Sequence, residues 1–81
     1  MTHCSDTYNY RTAGNDAEIH VTRKSDLYVW GWSEYRWSVS IRRDGEPYFV
    51  DIKKGLKTRP SKKRLEGYIG ETLVLVEVHH S

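Results

Sequence analysis

The feature that most constrains this chain is the run from Tyr35 to Arg42. Tyr35, Trp37, Val39 and Ile41 alternate strictly with Arg36, Ser38, Ser40 and Arg42, and Asp44-Gly45 closes the run. Successive side chains of a strand point to opposite sides, so a period of two marks a strand with one face buried. Asp-Gly is the dipeptide best suited to a tight type I′ hairpin turn. With these two residues as the loop, Arg43 faces Glu46, Ile41 faces Tyr48, Val39 faces Val50 and Trp37 faces Ile52. Every large apolar pair then shares one face, and a slip of one residue would destroy the match. The other face carries Arg36, Ser38, Ser40 and Arg42 opposite Lys53, Asp51, Phe49 and Pro47. It is polar and cationic and bears one aromatic, Phe49.

The remaining elements follow from period and punctuation. Residues 1–16 hold no sustained period and are rich in Thr, Ser, Asn and Gly, which predicts a flexible N-terminal arm, with room for a short strand through Tyr8 and Tyr10. A single domain is expected over 17–81. Ala17, Ile19 and Val21 alternate with polar residues as a strand; Lys24, Ser25 and Asp26 read as a turn, and Leu27 to Trp32 as a second strand with both faces apolar. Pro60 suits a first helical turn, Leu65, Tyr68 and Ile69 fall on one helical face, and Gly70 stands where a C-terminal cap would be, predicting a helix over about 60–69. Leu73 to Val76 is a continuous apolar run, the pattern of a central strand covered on both faces, within a final strand over 72–78. The expected class is therefore α+β, an antiparallel sheet of four to five strands with one short helix.

Size and charge narrow the function. A chain of 81 residues holds one core. Cys4 is the single cysteine, so no internal disulfide forms, which points to a reducing, cytoplasmic setting. The polar first twenty residues predict no secretory leader, and no apolar run approaches the roughly 20 residues a membrane helix needs. The net charge is only +2, yet residues 36–64 carry ten Lys or Arg against three acidic residues. A basic run of this kind is either a solvated face or a docking site for an anionic partner. Lys62, Lys63 and Arg64 stand at the helix start, where the dipole disfavours cations by some tenths of a kcal/mol each. Cations kept at a local disadvantage favour the docking site.

Catalytic signatures are absent from the sequence: there is no nucleophile elbow, Walker loop, dinucleotide fingerprint or H-E-x-x-H. Gly67-Tyr68-Ile69-Gly70 has the outline of a backbone-clamping G-x-x-G loop, but a strand rather than a helix follows it, so a helix end with a turn is the better reading. His3, Cys4, His79 and His80 would make a zinc set only if the termini met, and their spacing fits no zinc module. No cofactor or metal is expected. Tyr28, Trp30, Trp32, Tyr35, Trp37 and Tyr48 are close in sequence; the hairpin register assigns Trp37 and Tyr48 to the core, while Trp30, Trp32 and Phe49 stay open between core and contact.

Two functions remain. One is direct DNA or RNA binding, with Arg36, Arg42, Lys53, Lys54, Lys57, Arg59, Lys62, Lys63 and Arg64 meeting phosphates while Phe49 or Trp30 stacks on bases. The other is protein binding, with the same patch on an acidic surface and the aromatics, Trp32 among them, as anchors. The whole plan, a compact chain with no enzyme motif and an antiparallel sheet plus one helix, resembles the small phage-encoded inhibitors of bacterial defence such as anti-CRISPR proteins. The likeness is one of size and style. It implies a non-enzymatic inhibitor, monomeric or dimeric, that sterically blocks a nucleic-acid-handling complex such as a CRISPR effector inside a bacterial host.

Overall fold

The computed structural model describes residues 6–27 and 33–80 of the chain. Their elements are β1 (Asp6–Thr12), β2 (Ala17–Leu27), β3 (Ser33–Arg43), β4 (Val50–Leu56), α1 (Lys62–Ile69) and β5 (Leu73–His80). The strands form one antiparallel sheet in the order β4-β3-β2-β1-β5. The expected α+β class, with one short helix before a final strand, is the one observed.

The core lies on a single face. Tyr10, Ala17, Ile19, Val21, Trp37 and Val39 turn their side chains to one side of the sheet, and α1 covers them with Leu65, supported by Tyr68 and Ile69. Because β4 and β5 are at opposite edges, the chain between them must cross the whole sheet, and the helix is laid over the apolar face in doing so. Ser61 caps the helix, its Oγ accepting from the Arg64 N–H at 3.2 Å. Gly70 ends it in the left-handed region (φ 82°), its N–H donating to the Glu66 carbonyl at 2.7 Å. Pro60 therefore precedes the cap and is buried rather than helical. The Glu66 carboxylate then accepts from the Leu73 N–H at 2.9 Å and ties the helix to β5. Among the described residues no helix is long and apolar enough to cross a membrane.

Four expectations need correction. Asp6–Thr12, part of the expected flexible arm, is β1, an inner strand paired with both β2 and β5. The short strand through Tyr8 and Tyr10 is thus a structural centre, with Tyr10 only 7% exposed. Its start is held on both sides, the Asp6 carboxylate lying 2.8 Å from Arg23 on β2 and 3.0 Å from His80 on β5. Second, Lys24, Ser25 and Asp26 are not a turn: β2 runs straight through them, pairing with Arg36, Tyr35 and Glu34. The 11-residue strands β2 and β3 make one long hairpin, and its Lys24–Leu27 stretch extends past the end of β1. Of the second strand expected over Leu27 to Trp32, Leu27 ends β2 and 28–32 lie outside the described residues.

Third, the Asp44-Gly45 turn forms but does not set the predicted register. The Glu46 N–H donates to the Arg43 carbonyl at 2.9 Å, as a two-residue turn requires. Asn15 is the one non-glycine residue with positive φ among those described, so Asp44 does not adopt the type I′ conformation; Gly45 alone does so at φ 90°. Pro47 has no N–H to give to a ladder, so 46–49 leave the sheet and β4 begins at Val50. Ile41 then faces Val50 rather than Tyr48, Val39 faces Lys53 rather than Val50, and Trp37 faces Leu56 rather than Ile52. Tyr48, assigned to the core, is 77% exposed. Two register breaks restore the apolar match: one brings Ile52 and Lys53 together opposite Val39, and the other uses Gly55 at φ 68°. Fourth, β5 is not central. It is an edge strand, with Val74, Leu75 and Val76 about half exposed.

Candidate functional site

Between Asp51 and Glu66 the chain has seven Lys or Arg and no acidic residue, and this stretch is the edge strand β4, the β4–α1 connection and the first turns of α1. All seven cations are exposed. Two are held by rings on the helix side of the sheet: the Lys53 ammonium lies 5.2 Å from the Tyr68 ring centre and the Arg59 guanidinium 4.3 Å from that of Tyr8. Such contacts fix a cation without neutralising it, at a gain of about 0.5–1 kcal/mol when exposed. Among the described residues Lys54 is the one of the seven with a carboxylate partner, Asp51 at 3.2 Å. Lys57, Lys62, Lys63 and Arg64 make no ion pair among the described residues. Ser61 already caps the helix start, so the helix dipole adds its positive end to theirs.

Arg59 reaches Tyr8 because the connection to α1 passes over that end of the sheet. Tyr8 also contacts Trp37 (ring centres 5.9 Å apart) and His80 (5.8 Å, edge-on), and Arg23 lies 5.9 Å from the Trp37 ring centre. The helix face of the sheet therefore continues past the helix into an aromatic and cationic cluster. Beneath the helix, burial pushes the Tyr10 phenol above its ordinary pKa, against the opposing pull of Arg59.

Among the described residues no helix or second sheet covers the other face, which has a different electrostatic character. Its hub is Glu18, whose carboxylate meets Arg11 at 3.1 Å, Arg42 at 3.3 Å and His20 at 3.6 Å. Arg11 also reaches Asp44 at 3.2 Å, pinning the β3–β4 turn to the first two strands. Phe49 stacks on His20 with ring centres 4.2 Å apart, and Arg42 sits 5.5 Å from the Phe49 ring centre. Burial lowers the His20 pKa below that of a free imidazole, and Arg42 adds to the shift while Glu18 opposes it. A shallow cavity of about 150 Å³ opens beside them, lined by Asn9, Arg11, Glu18, His20, Val76 and Glu77. Asn9 Oδ1 is buried there with no hydrogen-bond donor among the described residues.

The predicted contact residues thus divide. Arg36, Arg42 and Phe49 belong to the open face, as the alternation predicted, and Phe49 is 38% exposed there. Lys53 does not join them, because the break in register turns it to the helix side over Tyr68. Arg42 is committed to Glu18 and to the Glu46 carbonyl at 3.2 Å, so its charge is largely compensated within the fold. Lys53, Lys54, Lys57, Arg59, Lys62, Lys63 and Arg64 follow one another along one edge and over the helix start. Trp30 and Trp32 lie outside the described residues, as do His3 and Cys4. His79 and His80, from the same terminal set, pair with Glu77 at 2.8 Å and with Asp6.

Arg11, Glu18 and His20 were not anticipated as a cluster. Their face was readable, since Glu18 and His20 alternate with Ala17 and Ile19, but their convergence with Arg42 requires β1 and β3 to flank β2. No protein-family model, curated protein or solved structure is significantly similar to this chain.

Proposed function

We propose that this chain is a non-enzymatic binding protein that uses its basic β4–α1 edge to dock on an acidic surface of a nucleic-acid-handling complex. The complex is blocked by steric occupation, in the manner of the small phage-encoded inhibitors the sequence resembles. The observation that carries the reading is the array of Lys57, Lys62, Lys63 and Arg64, exposed and without ion pairs among the described residues, while Arg11 and Arg42 on the open face are matched to Glu18. A protein gains nothing in its own stability from leaving cations uncompensated at a helix start. Oriented toward a negatively charged partner, the same charges accelerate encounter and select the partner. On this reading the working compartment is the cytoplasm of a bacterial host.

A second reading, direct binding of DNA or RNA, is favoured by Phe49, an exposed ring flanked by Arg42 and His20 on which a base would stack. One experiment separates the two. The protein and its Lys62→Glu/Lys63→Glu/Arg64→Glu variant are titrated against a short labelled duplex and a single strand across a salt series, and both proteins are used to capture partners from bacterial lysate. The inhibitor reading expects a stoichiometric nucleic-acid-handling protein retained by the parent and lost by the folded variant. Tight binding to either strand form, falling steeply with salt, would transfer the function to nucleic acid. An unchanged partner in the variant would remove the helix start from the interface.

A further inference from the structure

The two edges of the sheet are unlike. β4 is guarded: it carries Asp51, Lys53 and Lys54, contains a positive-φ glycine, and its pairing is broken twice. Charges and bulges of this kind keep an edge from accepting another strand. β5 has one bulge, at Val76, and its only acidic residue is Glu77. Val74, Leu75, Val76 and Val78 are 52, 48, 59 and 38% exposed. This is the apolar sequence of a central strand set at an edge, where its outward N–H and C=O groups have no ladder partner among the described residues.

We propose that β5 is the pairing edge of a symmetric homodimer, in which the β5 strands of two copies of this chain run antiparallel and merge two five-stranded sheets into one. The second copy is identified by self-complementarity. Pairing with β1 places Leu73, Leu75, Val78 and His80 on the helix face, opposite Thr12, Tyr10, Tyr8 and Asp6. The bulge leaves Val74, Val76, Glu77 and His79 on the open face, where Val76 and Glu77 both line the cavity beside Asn9. A partner strand must set like face against like face.

A two-fold arrangement with Val76 opposite Glu77 of the second copy does this along the whole strand. Leu75 meets Val78, Val74 meets His79, and Leu73 meets His80, each pair occurring twice. Sliding the register by one or two residues sets a helix-face residue against an open-face residue near the centre. In the matched register no Glu77 faces another, and each stays paired with His79 of its own strand at 2.8 Å. The half-exposed apolar side chains of β5 acquire cross-strand neighbours, and the strand becomes central, as its composition demands.

The test is sedimentation velocity under reducing conditions over a concentration series, on the protein and on Val74→Lys/Val76→Lys. Both lysines lie on the open face of the strand, away from the core. The parent is expected to shift from monomer to dimer with concentration, and the variant to remain monomeric with an unchanged circular dichroism spectrum. Register is read separately in a Cys4→Ser background. Val74→Cys combined with His79→Cys should give a covalent dimer on oxidation, whereas Val74→Cys alone should not, its two copies being about 17 Å apart at roughly 3.3 Å per residue. A parent that stays monomeric at high-micromolar concentration overturns the proposal. So does a dimer that survives both lysines, crosslinking by Val74→Cys alone, or a monomer that accepts only an unrelated strand peptide. Reversing the charges of Lys62, Lys63 and Arg64 leaves this equilibrium untouched, so the result is independent of the docking edge.

Discussion

Replacing Leu65 by Ala tests whether the single helix holds the sheet together. Leu65 is fully buried and is the one wholly buried residue that α1 contributes to the core. Truncating a buried Leu costs about 2–5 kcal/mol, the transfer energy of the lost carbons plus the cavity left behind. A chain of 81 residues has a total stability of about 4–12 kcal/mol at roughly 0.05–0.15 kcal/mol per residue, and a domain this small belongs near the lower end because it buries a smaller share of its surface. The substitution should therefore remove between a third and nearly all of the folding free energy. In urea the midpoint should fall steeply with little change in slope, and the thermal midpoint should drop by about 8–40 °C for a loss of about 2–5 kcal/mol, at roughly 4–8 °C per kcal/mol. Tyr68→Ala and Ile69→Ala, at partly buried positions, should cost less than Leu65→Ala. A loss below about 1 kcal/mol for Leu65→Ala would refute the argument, because it would mean that the helix is not packed into the core that positions the basic edge.

Three further outcomes follow from local chemistry. Because burial depresses the His20 pKa, the unfolded chain binds the proton more readily than the folded one between the two values; the resulting stability is present above the unfolded pKa near 6.5 and is lost as pH falls through the folded value. Denaturation across that window should show stability rising with pH, and His20→Gln should flatten the slope. Thr12→Val should let the Asp16 pKa return upward, since the hydrogen bond from the Thr12 hydroxyl is the main cause holding that carboxyl below its ordinary value, which carboxylate chemical shifts in an NMR titration would follow. Gly70→Ala should destabilise the fold by about 1 kcal/mol by forcing a Cβ into the left-handed region at φ 82°, although nothing obstructs the space around it; an unchanged urea midpoint would count against this cap.

Local chemistry was legible along the chain wherever period and punctuation agreed. The alternation of Tyr35–Arg42 set the buried side of β3, Gly70 marked the helix end, and the spacing of Leu65, Tyr68 and Ile69 marked the face that packs. The gathering of cations between Lys53 and Arg64 was equally plain. These features depend on backbone preferences and side-chain spacing, which act over a few residues and are written in them directly.

Position within the sheet depends instead on what lies alongside. Pro47 and two breaks in the β3–β4 pairing shifted that register, turned Lys53 to the helix side and expelled Tyr48, although the Asp44-Gly45 turn itself formed. Lys24, Ser25 and Asp26 have turn composition but lie in a strand, because continuous pairing with β3 outweighs a weak local preference. Asp6–Thr12 lacks any strong period yet occupies the inside of the sheet, since β2 and β5 both need a neighbour there. The Glu18 hub exists only because β1, β2 and β3 lie side by side, bringing Arg11 and Arg42 from distant sequence positions to one carboxylate. Residue type and spacing thus decided which side chains seek burial, and the lateral order of strands decided which of them found it, because hydrogen-bond ladders join segments without regard to their separation along the chain.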